Sequence, residues 1–70
     1  MKIIIKKEEQ RGDYEVINET GKCMGFVWPN ADFWICRIGD RVAEKFETYD
    51  QAIVKAKMLA TEDSVRHEIR

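Results

Sequence analysis

The sequence predicts an α+β domain: an antiparallel β-meander of four to five strands with one C-terminal α-helix packed on one face. Three observations predict it. Apolar and β-branched runs recur along residues 2–47 and are broken by small clusters containing Gly, Asp, Asn or Pro. The connections between these runs are all short, which favours consecutive hairpins over crossovers. From Thr48 onward the apolar spacing becomes helical, with Tyr49, Ala52, Ile53, Ala56, Leu59 and Ala60 on one stripe.

Residues 2–9 carry Ile3, Ile4 and Ile5 and read as the first strand. Gly12 supplies a cheap positive φ for the turn that follows. Residues 14–18 (YEVIN) form the second strand, and Glu19-Thr20-Gly21 ends it. Residues 22–28 form the third, and Pro29-Asn30-Ala31-Asp32 reads as a four-residue turn with its φ fixed at the start by proline. Residues 33–38 and 41–47 are the fourth and fifth strands, joined by a two-residue turn at Gly39-Asp40.

The helix, over about residues 49–66, opens with a capping box in which Thr48 caps and Gln51 reaches back. Asp50 places negative charge at the positive end of the helix dipole. The alanines of the stripe let the helix lie close to a sheet. Thr61-Glu62-Asp63-Ser64 either interrupts it, leaving Val65 and Ile69 on a short charged tail, or is carried through.

Seventy residues make a single domain, expected to span 1–70, with a marginal core. Charged residues are 36% of the chain, yet the formal charge is only −1, so no global field draws it to nucleic acid or anionic lipid. No apolar run is long enough to cross a bilayer. MKIIIKKEE lacks the apolar segment of a signal peptide, and a mature cytoplasmic protein is expected. Cys23 and Cys36 are then expected reduced, and with His67 alone for company they do not form a metal set. No cofactor is expected.

Register decides which face is free. With the turns above, Met24, Phe26, Trp28, Phe33, Ile35, Val42 and Phe46 share one face, joined by Tyr14 and Val16, and this face is expected under the helix. Val27, Trp34, Lys45, Gly25, Cys36, Ala43, Cys23, Ile38 and Arg41 are then expected on the other, with Ile17 extending it. A one-residue slip in any hairpin would exchange the faces, and residues 62–70 folding back would cover the second with Val65 and Ile69.

No residues assemble into a nucleophile–base pair or a phosphate-cradling loop, so catalysis is not expected. A second apolar face points to a protein-interaction module, self-associating around Trp34, Val27, Ile38 and Cys36, with Ile17, Arg41 and Lys45 nearby. The alternative is nucleic-acid binding by Trp34, Arg37, Arg41 and Lys45 on the last hairpin.

Over residues 33–56, Trp34 on a strand, a hairpin at Gly39, and Phe46 and Thr48 followed by Ala52 resemble the small sheet-plus-helix DNA-binding domains of the AP2 and phage-integrase arm-binding type. The same ending is similar to that of small bacterial and prophage domains of unknown function. The resemblance implies Trp34, Arg37, Arg41 and Lys45 as contacts. The chain departs from it in Glu15 and Glu44, in two additional N-terminal strands and in its negative charge.

Overall fold

A computed structural model of the chain describes residues 2–68, with side chains over 2–63. Five strands, β1 (Ile4–Glu8), β2 (Asp13–Ile17), β3 (Cys23–Asn30), β4 (Phe33–Ile38) and β5 (Glu44–Phe46), form one antiparallel sheet in the order of the sequence. A single helix, α1 (Tyr49–Glu68), follows and packs across one face. The architecture is the α+β meander that periodicity and turn spacing predict. The helix runs unbroken through Thr61–Ser64 to Glu68. The side chain of Val65, and Ile69 altogether, lie outside the described residues.

The turns are built by identifiable residues. Gly12, at φ 76°, donates its N–H to the Glu8 carbonyl and closes the first hairpin. The second is wound around Asn18, whose Oδ1 accepts from the N–H groups of Thr20 and Lys22 at 3.0 and 2.9 Å. Beside it, Val16 pairs with Gly25 but Ile17 with Cys23, so Met24 is the additional residue of a β-bulge and turns into the core.

The last two hairpins depart from expectation. β3 runs through Pro29 to Asn30, which pairs with Phe33, so the turn is Ala31-Asp32 alone, with Ala31 at φ 56°. This moves the register by two and leaves the faces of β3 and β4 as expected relative to each other. Between β4 and β5 the slip is one residue. Gly39 N–H extends the β3 pairing by donating to the Met24 carbonyl, Arg41 N–H turns back to Ile38, and β5 starts only at Glu44. Trp34 therefore faces Phe46, and Ile35 faces Lys45. The expected strand 41–47 and its two-residue turn are corrected to a five-residue loop and a three-residue strand.

The core joins Val16, Met24, Val27, Cys36 and Ile38 of the sheet side to Ala52, Ala56, Leu59 and Ala60 of the helix. The helical stripe is the expected one, but the sheet face beneath it is not. Val27, Cys36 and Ile38, expected on the open face, are at most 1% exposed. The physical reason is fit: a stripe of alanines needs a shallow bed for close packing. Gly25, Val27 and Cys36 supply one, whereas Phe26, Trp28 and Phe33 would hold the helix away. Tyr14 and Val16 settle the choice from the other side, because they pair with Val27 and Gly25. Where the helix begins, Tyr49 packs 4.9 Å from Tyr14 and 5.1 Å from Trp34, ring centre to ring centre.

Candidate binding face

With the helix on one side, alternation along the strands assigns the other side. Phe26, Trp28, Phe33 and Ile35 occupy its centre, and Ile4 and Ile17 extend it toward the edge. Phe26, Phe33 and Ile4 are 36%, 37% and 45% exposed. An uncovered apolar group of this breadth is unusual on a small monomer.

The charges on this face are ordered. One row across the strands reads Lys6, Glu15, Phe26, Arg37. A second has Glu8 paired with Asp13 at the β1–β2 side, and Trp28, Ile35 and Lys45 paired across β3, β4 and β5. The open-face carboxylates Glu8, Asp13 and Glu15 thus lie on β1–β2, together with Lys6, and the cations Arg37 and Lys45 lie on β4–β5, with aromatic rings between the two groups. Two cations already lie on rings: Lys45 Nζ is 4.3 Å from the Phe33 centroid, and the Arg11 guanidinium is 5.9 Å from that of Phe26. Arg11 also pairs with Asp13 at 3.3 Å.

The residues expected to form a site are dispersed. Val27, Cys36 and Ile38 lie under the helix, and Trp34 is half-buried against Tyr14 and Tyr49. Arg41 is bound at 2.9 Å to Asp63 of the helix, an ion pair that raises its pKa and anchors the β4–β5 loop. Arg37, Lys45 and Ile17 do face the open side. The set Trp34, Arg37, Arg41 and Lys45 is therefore divided between two sides of the sheet. Phe26, Trp28, Phe33 and Ile35 are the open-face residues that sequence reasoning assigned to the core. The signal that finds them is the small-residue character of the helix stripe, which demands an equally small-featured bed.

The thiols show the same two environments. Cys36 is buried, and its pKa is pushed up to about 11 by desolvation, with Glu44 adding to the effect. Cys23 is exposed and unpaired, its pKa also raised, chiefly by partial burial. Among the described residues no cluster of three metal-ligating side chains occurs, and no helix is long and apolar enough to cross a membrane. Compared with protein-family models, curated proteins and solved structures, the chain has no match.

Proposed function

We propose that the protein is a small non-catalytic interaction module that self-associates through the open face of its sheet. The supporting observation is the open-face group of exposed Phe26 and Phe33 with half-buried Trp28 and Ile35, on a chain whose own helix occupies the other face. Aromatic and arginine side chains are the ones that most often anchor protein contacts once desolvated. A domain of this size also gains much from burying a second face. Both cysteines are free, which fits a reducing compartment such as the cytoplasm.

The test is the solution mass by light scattering across a concentration series for wild type and Trp28→Ala. A dimer that Trp28→Ala dissociates, without loss of the helical circular-dichroism signal, is the expected result. Wild-type protein that stays monomeric throughout the series would overturn the reading.

A second reading has one observation in its favour. Within the strands, the open-face positions of β3, β4 and β5 include Arg37 and Lys45 beside Trp28 and Phe33 and no carboxylate. Rings that stack on bases beside cations that meet phosphates are what single-stranded nucleic acid requires. The contacts would then be Trp28, Phe33, Arg37 and Lys45. Glu8, Asp13 and Glu15 on the same face oppose a polyanion laid across it, which ranks this reading second. Absence of binding to single-stranded DNA or RNA oligomers at low salt would remove it.

A further inference from the structure

The open face is self-complementary, and from this we infer the geometry of the dimer: two copies pack face to face about a two-fold axis parallel to β3. The inference rests on the self-association proposed above and adds which residues meet. Rotation about an axis along β3 carries β1 over the partner's β5 and β2 over the partner's β4, while positions along the strands are kept. In the first row, Glu15 on β2 and Arg37 on β4 flank Phe26 at the same level. The rotation therefore sets each Glu15 opposite the Arg37 of the other copy and brings the two Phe26 rings together. In the second row, Glu8 on β1 and Lys45 on β5 lie at opposite ends, with Asp13, Trp28 and Ile35 between them, so the rotation leaves Asp13, already paired with Arg11, opposite Ile35. The same rotation sets Glu8 opposite Lys45 and brings the two Trp28 side chains to the axis.

The result has an aromatic centre with ion pairs on both flanks, each made twice, as a two-fold contact requires. Like charges are not opposed: Lys6 meets the outer end of the partner's β5, where the described face carries no second cation. A two-fold axis across the strands instead would place β1 on β1 and β5 on β5, setting Lys45 near Lys45. Face-to-face sheets stand about 10 Å apart and cross at roughly 30°, a spacing that Trp, Phe and Arg side chains fill. That crossing shifts the outer strands by only a few ångströms, within reach of Glu, Lys and Arg. Arg11, with its side chain 58% exposed, keeps its ion pair with Asp13 and swings from the Phe26 ring as the two rings meet.

Charge reversal tests this arrangement. One variant combines Glu8→Lys with Glu15→Arg, and the other combines Arg37→Glu with Lys45→Glu. Each alone sets like charges against each other and is expected to lose the dimeric mass at concentrations where wild type keeps it. An equimolar mixture is expected to recover that mass as a heterodimer, identified by native mass spectrometry, because every reversed position then meets its complement. Circular dichroism of each variant establishes that the monomer is folded. A wild-type dimer with variants that stay dimeric alone, or with a mixture that stays monomeric, would overturn the two-fold along β3 and leave self-association standing. Wild-type protein that is monomeric would overturn both.

Discussion

Lys45 Nζ, on β5, stands over the ring of Phe33, on the preceding strand β4, and the two are neighbours on the open face. The contact is possible only because β5 is paired one residue away from the expected register, which turns Lys45 to the side of Phe33. It is an exposed cation–π pair, so its contribution is small, about 0.5–1 kcal/mol. A double-mutant cycle of Phe33→Leu and Lys45→Met, read by urea denaturation of the monomer, is expected to give a coupling energy of that order. Zero coupling would mean that the contact adds nothing to the fold.

Of the four glycines, Gly25 is the one with no room for a side chain. A Cβ placed there would run into the Arg37 carbonyl oxygen and lie 2.7 Å from Cδ1 of Ile38. Its neighbours on that side are backbone and a fully buried isoleucine, so neither can move aside cheaply. Gly25→Ala is expected to cost about 3 kcal/mol, the upper part of the range for overpacking. A core of this size rarely supplies more than about 3–5 kcal/mol. The variant should therefore be largely unfolded by circular dichroism, whereas Gly21→Ala, with open space around its Cβ, pays only for its φ of 89° and should stay folded.

The meander and the helix were legible because each rests on local signals. The Gly12 turn, the break at Glu19-Thr20-Gly21 and the alanine stripe need only a few neighbouring residues and occur where the pattern places them, although Asn18, expected at the end of the second strand, belongs to the turn. The faces were not legible in the same way, because they depend on a single residue of register. Gly39-Asp40 looks like a two-residue hairpin, but Arg41 is taken up by its bond to Asp63, a residue 22 positions later. Residues 39–43 form a loop there instead, which the Arg41–Asp63 pair ties to the helix, and β5 is displaced by one position. The candidate site followed the error: Val27, Cys36 and Ile38 read as a partner surface, and Phe26, Trp28, Phe33 and Ile35 as a core. Hydrophobicity alone cannot separate the two faces here, since both are apolar. Size can, because only the face with Gly25, Val27 and Cys36 accepts a helix faced with alanine.

The start of the helix offers a prediction that was visible from sequence. Gln51 N–H donates to Thr48 Oγ1 at 3.2 Å, and Gln51 Oε1 accepts from the Glu47 N–H at 3.2 Å, one residue before the expected partner. Thr48→Ala is expected to cost about 1 kcal/mol, a fall of roughly 4–8 °C in Tm for a domain of this length. Thr48→Ser should restore most of it, because the hydroxyl acceptor is kept. Thermal denaturation of the pair decides whether the hydroxyl or the β-branched carbon supplies the stability.

Cys36 makes stability depend on pH in the alkaline range. Its thiol is raised from an ordinary 9.0 to about 11 by burial. Between these values the unfolded chain has released the proton and the folded chain still holds it. The folded state therefore binds more protons, and stability falls as pH rises. The contribution is complete below about pH 9 and is lost by about pH 11, with a size of about 3 kcal/mol. Tyr49, also raised chiefly by burial, adds a decline of the same sign at higher pH. Urea denaturation of wild type and Cys36→Ala at intervals from pH 8 upward should give a steeper fall for wild type, the variant being less stable at pH 8 and converging on it as the thiol ionises. Parallel curves would mean that the Cys36 thiol ionises equally well in the folded and unfolded chains.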